Sequence, residues 1–232
     1  MAHITDRTGT APRRQQLPEE VATYVRELII SGEVKPGEFL RIEPIAAAVG
    51  VSNTPVREGL LSLRSQGFVQ LAPRRGFVVA PFSEEDVRDL FWAQAQLGGE
   101  LAARAAERIS QESVERLAEL AEQYEEALGA RDEAGMADIG HLFHREINLA
   151  AQSHRLALLL GSIVRHLPHR LYGTVDARAD ENRNDHSLLV GAMRTRDARK
   201  ARSLMETHIR KVGEQLIALL DERGVWEDDT PA

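Results

Sequence analysis

Apolar positions along the chain recur with two different periods, and the change between them divides it. From Pro18 the spacing is helical: Val21, Val25, Leu28 and Ile29 share one face, Pro18 suits a first helical position, and Gly32 closes the run. Lys35-Pro36-Gly37 is a turn. A short helix opened by Pro44 carries Ile45, Ala46 and Val49 and stops at Gly50. A third begins at Ser52-Asn53-Thr54-Pro55 and runs through Val56, Leu60, Leu61 and Leu63 to Gly67. The period then drops to two. Phe68, Val69 and Leu71 precede the turn Pro73-Arg74-Arg75-Gly76, and Phe77, Val78 and Val79 follow it, which predicts a β-hairpin with two arginines at its tip. Two short helices joined by a tight Gly-containing turn form a helix-turn-helix. With the first helix and the hairpin they predict a winged helix over residues 17–80. Residues 1–16 carry no apolar period and are expected to be a flexible arm.

Pro81 marks the boundary, and residues 81–232 show only helical spacing. Ser83-Glu84-Glu85-Asp86 has the form of a capping box with Asp in the place of Glu. It opens a helix to about Glu107. Others are expected from Ser110 to about Leu128, from Asp132 to Ala151, from Ser153 toward Pro168, from about Arg178 to Thr195, and from the cap Asp197 to Gly224. Six such helices predict an antiparallel bundle. The fold class is therefore mainly α: an N-terminal winged helix-turn-helix and a C-terminal all-α bundle.

Composition sharpens the division. The 232 residues carry a net charge of −7, but unevenly. Residues 1–80 hold 10 Lys and Arg against 8 Asp and Glu, and residues 81–232 hold 19 against 28. Seven of the eight histidines lie in the second part. The first part suits an anionic partner, and the second has nitrogen ligands to spare. The absence of cysteine excludes disulfides, thiol catalysis and Cys-ligated metal centres. No apolar run approaches the roughly 20 residues of a membrane span, and the first residues lack the apolar stretch of a signal peptide, so the cytoplasm is the expected compartment.

The start of the third helix presents Ser52, Asn53, Thr54 and Arg57. Backbone N–H groups at a helix N-terminus and Ser or Thr hydroxyls meet phosphate, while Asn and Arg read base edges in the major groove. Arg74 and Arg75 on the hairpin would flank the minor groove. A purely local reading has Ser52 and Thr54 capping the helix and the arginines solvated. In the second part, His144, His186 and His208 fall on three different expected helices, each on or beside the apolar stripe. Three converging imidazoles would make a metal site with an open position, and His141, one turn before His144, offers a fourth nitrogen. Taken singly, each is equally a hydrogen-bonded residue at the core edge.

Residues 18–80, with Gly50-Val51-Ser52-Asn53-Thr54-Pro55-Val56-Arg57-Glu58 at their centre, resemble the DNA-binding domain of the GntR family of bacterial transcription regulators. The resemblance implies contacts to double-stranded DNA from Ser52, Asn53, Thr54, Pro55 and Arg57, wing contacts from Arg74, Arg75 and Gly76, and phosphate contacts from Arg41 and Arg64. Asn53 stands where the family usually has Arg, which bears on operator sequence. Residues 81–232 resemble the FCD ligand-binding domain of the FadR-type branch, through ELAARAAE, LFHREINLAAQSH and DHSLLVGAMRTRDARKARSLMETH. That likeness implies a divalent transition metal (Zn, Ni, Fe or Mn) held by one Asp and three His. The histidines match His144, His186 and His208, but Gly140 stands in the Asp position, leaving His141, a water or the effector as fourth ligand. Gln94 and Gly98 stand where the family often has Arg and Glu. Gln94, Arg145, Arg165 and Arg170 are the candidate effector contacts. The pair Gly98-Gly99 inside a helix points to close packing or to space for a ligand.

The expectation is a homodimeric repressor on a palindromic operator, modulated by a small carboxylate beside a metal. The alternative is a metal-dependent enzyme using the three histidines. No nucleophile elbow or phosphate-binding Gly-rich loop supports an enzyme reading.

Overall fold

A computed structural model describes residues 11–167, 172–175 and 184–226. Contacts divide the chain into two compact units. Ser83–Glu222 form the second, and the described residues on either side of it, 11–82 and 223–226, belong to the first. Among the described residues no helix is long and apolar enough to cross a membrane.

The first unit contains α1 (Ala11–Ile30), β1 (Phe39–Leu40), α2 (Ile42–Val49), α3 (Asn53–Ser65), β2 (Val69–Ala72) and β3 (Gly76–Val79). The strands pair antiparallel in the order β1-β3-β2, with Val69 opposite Val79 and Phe39 opposite Val78. Val21, Val25 and Ile29 of α1 pack with Val56, Leu60 and Leu63 of α3, all nearly inaccessible. Gly59 permits this approach, because a Cβ there would lie 2.7 Å from the Pro18 carbonyl oxygen. The winged helix is as expected, with three local differences. Helix α1 begins at Ala11, so residues 11–16 of the expected arm are helical and Pro18 lies inside the helix. Ala, Arg and Gln favour helix without producing an apolar period, so the spacing test misses them. Helix α2 starts at Ile42 with Arg41 as N-cap, which places Pro44 in the first turn, where a missing N–H costs no intrahelical bond. Strand β1 has two residues, too few to show a period. The Trp226 ring lies 6.1 Å from that of Phe82, which lies 5.6 Å from Phe68, so residues 223–226 belong to the first unit.

The second unit is a bundle of α4 (Glu84–Arg108), α5 (Gln111–Ala130), α6 (Glu133–Ala150), α7 (His154–Val164), α8 (Asp185–Arg194) and α9 (Ala198–Glu222). The caps explain the starts. Ser83 and Asp86 exchange both hydrogen bonds of a capping box, and Ser110 and Asp132 accept from Ser113 N–H and Gly135 N–H. Asp197 accepts from Lys200 N–H at 3.0 Å ahead of the last helix. Residues 178–183, expected at the start of the fifth helix, lie outside the described residues. Leu101, Leu117, Phe143, Ile147, Leu189, Met193 and Met205 form the centre of the core.

The long helices α4 and α9 explain the glycine pair. A Cβ on Gly98 would stand 2.7 Å from Ile209 Cδ1, one on Gly99 2.6 Å from Glu206 Cγ, and one on Gly213 2.7 Å from Phe91 Cγ. The glycines therefore serve close helix packing, which brings His208 on α9 against the same wall as Gln94 on α4.

Candidate functional site

On the first unit, α3 carries the residues expected to meet DNA. Ser52 is the N-cap with extended backbone (φ −80°, ψ 169°), and its side chain makes no capping hydrogen bond. The hydroxyl is thus not consumed by the helix, contrary to the local reading. Ser52, Asn53, Thr54 and Arg57 are all exposed. Asn53, Arg57 and Arg64 follow one another at four and seven residues, so they share a face of α3. Pro55 is buried with Val56 and is not presented to a partner, which removes it from the contact set. Arg41 is exposed at the start of α2. At the hairpin tip Arg74, Arg75 and Gly76 are exposed. Arg74 adopts φ +63° and Gly76 φ +102°, so the turn holds a left-handed residue where glycine is usual and puts an arginine there instead.

In the second unit the three histidines converge. His144 on α6, His186 on α8 and His208 on α9 offer nitrogen atoms that lie within 4.8 Å of one another. His186 and His208 are buried, and His144 is partly exposed. The His186 ring stands between Tyr124 and Phe143 at 4.3 and 4.4 Å, and its Nε2 has no hydrogen-bond partner. His208 Nδ1–H donates to Asp185 Oδ2 at 3.3 Å, leaving Nε2 as the nitrogen with a free lone pair. Lys211 Nζ stands 3.4 Å from Asp185 Oδ1. Burial, followed by the charges of His208 and His141, lowers His144 from 6.5 to about 3. Burial, His208 and His144 push His186 well below its ordinary value. Burial raises Asp185, but its bonds to His208 and Lys211 more than offset this and lower it. Burial thus favours the neutral form of His144 and His186, and their ring nitrogens lie close to those of His208. The donors and the orphaned Nε2 fit a divalent transition metal.

The histidines border a cavity of about 300 Å³ with mostly apolar walls, including Phe91, Met136, Leu160, Val164 and Met205. Gln94, His141 and Arg145 line it as well. His141 is exposed and stands outside the three-nitrogen cluster, so it is not a ready fourth ligand. Gly140 lines the cavity and supplies no ligand. A Cβ there would lie 3.6 Å from Tyr124, an ordinary contact. Arg165 is exposed at the end of α7, outside the residues that line the cavity, with its guanidinium beside the lining residue Gly161. Arg170 lies outside the described residues. Sequence reasoning missed Asp185, Asn148 and Tyr172. For Asp185 the available signal was its place beside a candidate ligand at a helix start. Asn148 stands one turn beyond His144, on the face that lines the cavity.

Residues 17–79 match the bacterial regulatory proteins of the gntR family, and residues 89–211 match the FCD domain. The chain belongs to the GntR family, in its FCD-domain class. It is 26% identical over 205 residues to the HTH-type transcriptional regulator McbR of Escherichia coli (strain K12), covering 87% of this chain and 91% of McbR. The HTH-type transcriptional repressor GlaR of the same strain is 26% identical over 196 residues, covering 80% and 89%. The solved structure of E. coli McbR/YncC superposes with a TM-score of 0.67 at 25% identity, over 90% of this chain and 98% of that one. This GntR-family chain is a DNA-binding transcription regulator and not an enzyme, which sets aside the metal-dependent enzyme held as the alternative.

Proposed function

We propose that this regulator is a cytoplasmic homodimeric repressor that holds a divalent transition metal and releases a palindromic operator when a small carboxylate binds. One observation carries the metal reading: three imidazoles from three helices converge on the wall of a mostly apolar cavity. His144, His186 and His208 are the residues that would hold the metal, and bound there it supplies a Lewis-acid site for a carboxylate. Two-fold pairing of the chain matches two half-sites, each meeting one α3 with Ser52, Asn53, Thr54 and Arg57, while Arg74, Arg75 and Gly76 flank it and Arg41 and Arg64 take phosphates. An effector acts only by binding one arrangement of the heads better than another. GlaR is a transcriptional repressor, and that likeness supports repression.

The test is the metal content of the purified, untagged protein, with His208→Ala as control. About one metal per chain, lost in the variant, is the expected result. Equal content in both proteins would remove His208 from the site, and no metal in either would end the metal reading. Light scattering and gel shifts on symmetric and half-site duplexes test the dimer and the palindrome.

A further inference from the structure

Gln94 is a buried polar group of the cavity whose amide N–H the bundle leaves without an acceptor. It is 3% exposed on α4 and lines the cavity. Its Oε1 accepts from Tyr172 O–H at 3.4 Å, while its Nε2 has no hydrogen-bond partner. A buried amide donor left unpaired is unfavourable, so its place in a cavity wall marks where a ligand acceptor belongs. Its level is fixed by its neighbours. Phe91 packs on Gly213, and Gly98 packs on Met205 and Ile209. Gln94, between them on α4, therefore stands beside the turn of α9 that follows His208. A ligand oxygen at the histidines and a second oxygen at Gln94 can belong to one small molecule.

Charge decides what that second oxygen is. Arg145 is the one Lys or Arg among the described lining residues, and it lies exposed on α6. Among the described residues, an ionised carboxylate beside Gln94 would meet an uncharged amide and mostly apolar walls, with no cation on α4 facing the cavity. A hydroxyl or keto oxygen carries no such cost. We propose that the cavity selects a monocarboxylate with an apolar body and an uncharged oxygen substituent, the carboxylate at the histidine cluster and the second oxygen accepting from Gln94 Nε2–H. The inference rests on the effector-and-metal reading above and narrows its ligand.

Isothermal titration of the full-length, zinc-loaded protein with 3-hydroxyoctanoate, octanoate and glutarate tests it. Wild type is expected to prefer 3-hydroxyoctanoate over octanoate by about tenfold, the scale of one hydrogen bond from a buried donor, and to bind glutarate most weakly. Gln94→Leu should erase the preference between the two octanoates, and Gln94→Arg should raise glutarate affinity above that of octanoate. The wild-type ranking stands as a test even where a variant fails to fold. Glutarate binding best, equal affinity for the two octanoates, or no binding of any probe would each overturn the proposal. If glutarate binds best and His208→Ala abolishes that binding, the effector-and-metal reading survives and only the ligand class falls. If His208→Ala changes neither metal content nor any probe's affinity, the reading itself falls.

Discussion

Acidification should destabilise the metal-free helical unit, and His144 sets the scale. In the unfolded chain its imidazole takes a proton near pH 6.5, whereas burial and the neighbouring His208 and His141 lower the folded group to about 3. Between these values the unfolded chain binds more protons than the folded one, so stability rises with pH across the window and falls on acidification. Taking the pH from 7 to 5 shifts the balance by about 2 kcal/mol for this one group. His186, lowered by burial, His208 and His144, adds loss in the same direction. Glu100, lowered chiefly by Arg202 and Arg104, and Asp185, lowered by His208 and Lys211 against its burial, hold carboxylates below their ordinary 4.5 and 3.8. Their contribution is present above those values and is lost only at still lower pH. Urea unfolding followed by circular dichroism with a chelator present, at pH 7 and pH 5, measures the effect in wild type and in His144→Gln. The wild type should lose about 2 kcal/mol more than the variant. Equal losses in the two proteins would show that His144 titrates as an open, solvated imidazole, and the packed histidine cluster would be wrong.

Asp185→Asn should weaken metal binding about 10- to 100-fold with the fold retained, since the carboxylate fixes the His208 tautomer; competition with a calibrated chelator reads this, and unchanged affinity would deny Asp185 its positioning role. Arg57→Ala should weaken binding of a cognate duplex by about 1–3 kcal/mol at fixed salt if the guanidinium meets a base edge; gel shifts at unaltered circular dichroism decide it, and equal affinity would misplace the recognition face of α3. Two glycine substitutions should differ in sign. Gly213→Ala forces a Cβ to 2.7 Å from Phe91 and should cost about 1–3 kcal/mol, whereas Gly191→Ala, with nothing within 4 Å, should gain about 0.5–1 kcal/mol. Thermal melts in which Gly213→Ala loses no stability would contradict the α4–α9 packing.

Most of the scaffold could be read along the chain because its signals are local. Gly32, Gly50 and Gly224 adopt left-handed φ where helices end, and Ser83, Ser110 and Asp132 cap where they begin. The hairpin announced itself by period and turn residues. What stayed hidden needed information that no window of sequence holds. Strand β1 exists because Phe39 and Leu40 meet β3, not because of their own pattern. Asp185 matters through the rotation of α8, which turns His186 inward and brings the carboxylate to His208. Residue type suggested a role for Pro55 in the same way, and only its burial beside Val56 could refuse it.

The positions where the family resemblance implies other residues are not scattered. Gln94, Gly98 and Gly140 all line one cavity, and Asn53 is exposed on α3 beside Arg57. Gly140 has room for a Cβ and Asn53 faces solvent, whereas Gly98 is itself part of the α4–α9 packing. A core tolerates little change in volume, because each methylene is felt by close-packed neighbours. A cavity wall and an exposed helix face carry no such penalty, so their residues are free to follow the ligand and the operator. The same physics predicts where evidence of specificity belongs in this chain. On the proposed function it would lie in the unpaired amide of Gln94, at Gly140 and in the uncharged Asn53, with the three histidines and the α4–α9 seam as the frame on which those differences act.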